Sequence, residues 1–144
     1  MKFLNLYQNI VKLDRSIKNI KSQLKKNQFI GGPEVLKFEN KFSKFVKSKY
    51  CISVANGTDA LEIAIESLNL PKNSEAIVPV NTWISAAAAV VRNGLKLVFC
   101  DINLKDYSIN LNDLKRKINS KTKLIIPVHL YGIPSNMHEI NRQI

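Results

Sequence analysis

Residues 76–101 read AIVPVNTWISAAAAVVRNGLKLVFCD, and the change of period inside that stretch decides the fold. Ala76 to Val80 is a short apolar run, the pattern of a strand covered on both faces. From Thr82 to Asn93 the chain turns to small, helix-compatible residues, and Gly94 supplies a natural stop. Leu95 to Cys100 is a second apolar run that closes at Asp101. Two such strands joined by a helix predict a parallel pair with a right-handed crossover.

The alternation continues outward on both sides. Upstream, residues 50–55 read as a short strand, followed by the turn Asn56-Gly57-Thr58-Asp59 and a helix whose stripe is Leu61, Ile65 and Leu68. Asp59 and Glu62 have capping-box spacing, and Pro71-Lys72-Asn73 ends the unit. Earlier still, Ile10, Leu13, Ile17, Ile20 and Leu24 recur at helical steps with Lys12, Arg15, Lys18 and Lys21 outside. Gly31-Gly32-Pro33 breaks that helix, and Val35, Phe38, Phe42 and Phe45 carry a second one to about Val46. Downstream come a short extended piece at 108–110, a helix marked by Leu111, Leu114 and Ile118, and a strand from Lys123 to Val128. A turn through Tyr131-Gly132-Ile133-Pro134 and a helix begun at Met137 close the chain. The fold class expected is α/β, a mostly parallel sheet with flanking helices. Residues 1–47 form an N-terminal helical segment and residues 48–144 the α/β segment. The last helical unit stops at Ile144 without a cap, which reads as an incomplete large domain.

Composition narrows the function classes. The chain has 144 residues, 45% of them hydrophobic, and that length can bury roughly two thirds of its unfolded surface. Cys51 and Cys100 form no CxxC pair, so neither a cystine framework nor a cysteine-built zinc site is expected. Apolar runs are too short for a membrane helix, and Asn5, Gln8 and Asn9 interrupt any signal-peptide core; a cytoplasmic protein is expected. The 22 Lys and Arg outweigh 11 Asp and Glu, which raises the question of a polyanionic partner. The excess is dispersed, with Lys115-Arg116-Lys117 the longest basic run. A solvated basic surface is therefore preferred. The alternative is a non-enzymatic α/β protein that binds nucleic acid or a phosphate ligand.

Chemistry in such sheets gathers beyond the C-terminal strand ends, where helix N-termini present free N–H groups. Asn56-Gly57-Thr58-Asp59 has that placement, and its backbone with the Thr58 hydroxyl suits a phosphate; a plain helix cap is the simpler reading. Trp83, the only Trp, stands at the end of the 76–80 strand, where its ring can stack on a flat ligand or merely pack. The Ser85-Ala86-Ala87-Ala88-Ala89 run beyond it permits close approach. His129 and His138 lack a convincing third ligand, so no metal site is expected, and His129 reads as a hydrogen-bonded or pocket-wall residue. GxGxxG, GxxxxGK[ST] and GxSxG are all absent.

Six segments in order resemble the DegT/DnrJ/EryC1/StrS family of pyridoxal-phosphate-dependent nucleotide-sugar aminotransferases. They are Phe3-Leu4-Asn5-Leu6; Phe29-Ile30-Gly31-Gly32-Pro33-Glu34 with Phe38-Glu39; Asn56-Gly57-Thr58-Asp59-Ala60-Leu61; Ile77-Val78-Pro79-Val80-Asn81-Thr82-Trp83; Val98-Phe99-Cys100-Asp101-Ile102; and Ile126-Pro127-Val128-His129-Leu130-Tyr131-Gly132. The resemblance implies part of a fold-type-I transferase large domain and pyridoxal 5′-phosphate as cofactor. It implies that Gly57, Thr58 and Asp59 hold the cofactor phosphate and that Trp83 stacks on its ring. It also implies a homodimer, with the Phe29 to Glu34 segment near a partner's site, an amino-acid donor such as glutamate, and a nucleotide-linked keto-deoxysugar acceptor. Asn81-Thr82-Trp83 looks more like members that aminate C3 of a dTDP-linked 3-keto-6-deoxyhexose, with C4 amination as the rival. The family's Schiff-base lysine and the carboxylate facing the pyridine nitrogen follow the His-Leu-Tyr-Gly segment, beyond this sequence. No catalytic residue is therefore assigned within it, and the chain as given is expected to be inactive.

Overall fold

A computed structural model describes residues 13–27 and 29–143. The Phe3-Leu4-Asn5-Leu6 segment and Ile10 lie outside them. The chain divides between Ser53 and Val54 into two compact units.

The first unit holds helices α1 (Leu13–Lys26) and α2 (Pro33–Phe45). Pro33 opens α2, where its missing N–H costs nothing, and Glu34 sits in the first turn against the positive helix end. The α2 stripe is real: Phe38 and Phe42 stack with centroids 5.6 Å apart. The 50–55 segment is not a strand. It runs extended, but no described segment pairs with it, and without a ladder its N–H and C=O groups gain nothing from the strand conformation.

The second unit contains α3 (Gly57–Ser67), β1 (Glu75–Pro79), α4 (Ile84–Arg92), β2 (Lys96–Cys100), α5 (Leu111–Lys117), β3 (Thr122–Ile125) and α6 (Met137–Asn141). Its sheet has the order β2-β1-β3, with both pairings parallel. Ala76 pairs with Leu97 and Ile77 with Val98 on one side, and the same residues meet Leu124 and Ile125 on the other. An isolated antiparallel bridge joins Ile102 to Ile109. This is the parallel α/β architecture of a partial fold-type-I large domain.

The core follows from the two-residue period of β1. Ala76 and Val78 face Ile65 of α3 and Ala86, Ala89 and Val90 of α4. Ile77 faces the opposite layer, built from Cys100, Ile109, Leu114 of α5 and Ile140 of α6. The chain steps from β1 outward to β2 through α4, then back past β1 to β3 through α5. Opposite steps need helices on opposite faces if both crossovers keep one hand, and α4 and α5 lie on opposite faces. Gly94 stops α4 as expected, with φ +69 and its N–H donated to the Val91 carbonyl at 2.9 Å.

One polar lock fixes the β2 end. The Asp113 carboxylate accepts from the Asp101 N–H at 2.8 Å, from Lys117 Nζ at 2.8 Å and from Arg116 at 3.0 Å. The backbone N–H of Asp101, then Lys117 and Arg116, hold its acidity well below the usual carboxylate range. β3 ends earlier than the apolar pattern suggests. Ile126 still donates its N–H to the Ile77 carbonyl at 2.9 Å, but Pro127 has no N–H and the ladder stops. From Pro127 the chain leaves the sheet, and residues 126–129 become available as a wall.

Candidate functional site

At the C-terminal edge of the sheet, α3 begins with an Asn cap. Asn56 Oδ1 accepts from the N–H of Thr58 at 2.9 Å and of Asp59 at 3.0 Å. This corrects the capping-box expectation: Asn56 is the cap, and Asp59 lies inside the first turn. The reason is reach, since Asn56 has the extended backbone of a cap residue and a short amide two residues before Thr58. Asp59 accepts from Asn56 Nδ2 at 3.1 Å, which holds the capping amide in place.

α4 begins later than the sequence suggests. Trp83 occupies its cap position with extended backbone and no side-chain cap, so Asn81, Thr82 and Trp83 form the strand-to-helix corner. The indole is 77% exposed. Two residues on, Ser85 is buried, and its Oγ lies 2.8 Å from Thr58 Oγ1, joining the first turns of α3 and α4.

These segments enclose a cleft of about 580 Å³ lined by Asn56, Gly57, Thr58, Leu61, Thr82, Trp83, Ser85, Ala86 and residues 126–129. Three of the four residues singled out from the sequence, Gly57, Thr58 and Trp83, are therefore brought together. Asp59 is on the same turn but not on the lining. His129 lines the opposite wall, where its Nδ1 accepts the Ser135 N–H at 3.0 Å. Ser135 also donates its hydroxyl to the Val128 carbonyl at 2.9 Å, so one buried serine braces this wall twice.

The cleft is chemically two-sided. One end carries the Thr58 and Ser85 hydroxyls at the positive end of α3. There Asn56 takes the Thr58 and Asp59 N–H groups, and the hydroxyls and the helix dipole are left to suit an anion. The remainder is Leu61, Ala86, Ile126, Pro127 and Val128 with the indole, a surface suited to a flat apolar ring. A Cβ built on Gly57 meets nothing within 4 Å, so the glycine leaves open space at the helix mouth. Among the described residues no lysine and no carboxylate lines the cleft. Among the described residues no group of His, Cys, Asp and Glu is placed to hold a metal ion, and no helix is long and apolar enough to cross a membrane.

Sequence reasoning did not single out Ser85 or Asn56 for these parts. Ser85 interrupts an apolar helix start, a signal that a buried hydroxyl needs a partner, but its partner is 27 residues away. A second cavity of about 450 Å³ is lined by Asn103, Asp106, Ser108, Asn110 and Asn136 among others. The Oδ1 atoms of Asn103, Asp106, Asn110 and Asn136 accept hydrogen bonds within turns and caps.

Comparison with known proteins supplies the chain's relatives. A model described as the DegT/DnrJ/EryC1/StrS aminotransferase family matches residues 12–143. The dTDP-3-amino-3,6-dideoxy-alpha-D-galactopyranose transaminase of Aneurinibacillus thermoaerophilus is 38% identical over 140 residues, 96% of this chain and 39% of that protein. The UDP-2-acetamido-2-deoxy-3-oxo-D-glucuronate aminotransferase of Pseudomonas aeruginosa is 40% identical over 130 residues, 90% of this chain and 35% of that protein. Among solved structures, S. venezuelae DesV in complex with a ketimine intermediate superposes with a TM-score of 0.90 at 27% identity, covering 98% of this chain and 38% of that one. The E. coli GDP-4-keto-6-deoxy-D-mannose-3-dehydratase with bound hydrated PLP gives 0.86 at 34% identity, covering 91% and 35%. The chain thus spans between a third and two fifths of the length of these proteins.

Proposed function

This chain belongs to the DegT/DnrJ/EryC1/StrS aminotransferase family, and from that premise we propose that its cleft is the phosphate-and-ring part of a pyridoxal-phosphate site. The enzyme concerned transfers an amino group from an amino acid, with glutamate as donor, to a nucleotide-linked keto-deoxysugar. The observation that carries the reading is the meeting of the Thr58–Ser85 hydroxyl pair and Trp83 in one cleft with an apolar wall. Amination at C3 is the favoured position, supported by relatives whose names specify a 3-amino sugar and a 3-oxo sugar.

Bound there, the cofactor supplies the carbonyl and electron sink on which amino-group transfer depends. Every other role falls to the chain. The Thr58 hydroxyl, aided by the positive end of α3, would hold the phosphate; Asp59 acts through Asn56, keeping the capped turn in shape. Trp83 covers one face of the ring, and Ile126 to Val128 exclude water from its edge. Because no lysine among the described residues lines the cleft, we assign binding and orientation to these residues and no proton transfer. Homodimerisation and the sugar and donor specificities belong to the same proposal.

Titration with pyridoxal phosphate, followed by quenching of the single tryptophan, tests it. The expected result is saturable quenching with an affinity that falls roughly tenfold in Thr58→Val, as for loss of one hydrogen bond to a charged group. A Thr58→Val chain that binds as tightly as the unmodified one would overturn the assignment.

A further inference from the structure

We propose that Ser85 is the positioning residue for the Thr58 hydroxyl, so that the two side chains act as one donor unit aimed at an anionic group. The inference rests on the phosphate-and-ring reading of the cleft and extends it to a residue with no assigned role.

Three observations carry it. Ser85 is 9% exposed, and its α4 neighbours Ala86, Ala87 and Ala89 are buried and apolar. A hydroxyl in such surroundings is costly unless it is bonded, and its bond is to Thr58 Oγ1 at 2.8 Å. Both residues line the cleft, so the pair is formed at the ligand surface and not behind it. Finally, two hydroxyls that share one hydrogen bond use one of their two protons on each other. The other remains free to be donated.

The consequence concerns Thr58 first. Within a helix a threonine hydroxyl is usually held by the carbonyl one turn back, but Thr58 is the second residue of α3, so that carbonyl lies before the helix begins. Ser85 supplies the missing restraint from a different helix. With the Thr58 oxygen fixed, a phosphate meets an oriented donor and need not select one rotamer from several. Ser85 therefore contributes to affinity for the anion through Thr58, without stabilising the rest of the ligand.

The probes are 4-deoxypyridoxine 5′-phosphate and 4-deoxypyridoxine, which keep the ring and carry no aldehyde to react with surface lysines. Binding is read by quenching of the single tryptophan in the full chain. Ser85→Ala should weaken the phosphorylated probe about five- to tenfold and leave the unphosphorylated probe unchanged. Ser85→Thr should restore the loss. In the Thr58→Val background, Ser85→Ala should add nothing further, the non-additivity expected when one residue acts through another.

Equal weakening of both probes would show a merely structural tie and overturn the proposal. So would additive losses, or no loss in Ser85→Ala while Thr58→Val still weakens the phosphorylated probe; in those cases the site reading stands alone. If the phosphorylated probe does not bind the unmodified chain, or Thr58→Val leaves it untouched, both readings fall together.

Discussion

Helix α2 and strand β1 are both written in large apolar residues, and the structure treats them in opposite ways. On α2, Val35, Phe38, Phe42 and Phe45 are 39–82% exposed, and on α1 the row Ile17, Ile20 and Leu24 is 39–58% exposed. On β1, every residue is buried. The difference is one of layers. β1 is paired on both edges and covered by helices on both faces, whereas a stripe on a helix buries only what a neighbouring layer reaches. Charge divides the same way: residues 1–53 carry 12 Lys and Arg against 3 Asp and Glu, while the remainder carries 10 against 8. Amphipathicity thus names the face that could be buried, and packing decides whether it is.

The sharpest way to break this comparison is to truncate one large apolar side chain in each region. Ile77→Ala removes a fully buried side chain between two ladders and should cost about 2–5 kcal/mol in urea unfolding. Phe45→Ala, at a residue 82% exposed, should change the unfolding free energy by less than about 0.5 kcal/mol. Comparable losses at both positions would mean that the first unit contributes to the cooperative core.

Asp113 should come next in size. Asp113→Asn weakens three charge-assisted contacts, and we expect a loss of about 1–2 kcal/mol after allowing for solvent around Lys117 and Arg116. The pH signature is more diagnostic. A carboxylate more acidic in the folded than in the unfolded state stabilises fully above the unfolded value, about 3.9, and that contribution drains as pH falls further. Unfolding from pH 6 down to pH 3 should therefore show a steeper loss for the unmodified chain than for Asp113→Asn. Parallel curves would mean that the lock is not electrostatic.

The two regions also differ in how much could be read from residues. The strand–helix–strand of 76–101 was legible because local period and tertiary burial agree there, and Gly94 stops its helix by backbone conformation alone. At 50–55 the apolar run is compatible with a strand, but a local pattern cannot report whether a partner strand exists, and no described segment pairs with it. The end of β3 needed Pro127 to be weighed as a missing donor. At the site, Thr58 and Trp83 were placed by the rule that helix N-termini and strand ends converge at one edge. Asn56 was overshadowed by the equally plausible Asp59–Glu62 spacing, and Ser85 was invisible because its meaning depends on an oxygen brought near by folding.

The smallest effect expected is also the cleanest contrast, because each unit holds one cysteine. Cys100 is fully buried on β2, and burial, reinforced by the nearby Asp113 carboxylate, pushes its thiol up to about 12. At pH 8 its thiolate fraction is then on the order of 10⁻⁴, and the nucleophile is out of reach of reagent. Cys51 is partly exposed in the unpaired 50–55 segment. Iodoacetamide on the native chain should label Cys51 alone, changing the unfolding free energy by no more than about 0.5 kcal/mol, as for a surface change. Cys100 should be labelled only in proportion to the unfolded fraction and rise with urea along the unfolding curve. Early labelling of Cys100 at low urea would show that the β2 edge opens on its own, and the contrast between a packed sheet and exposed helices would have to be redrawn within the second unit.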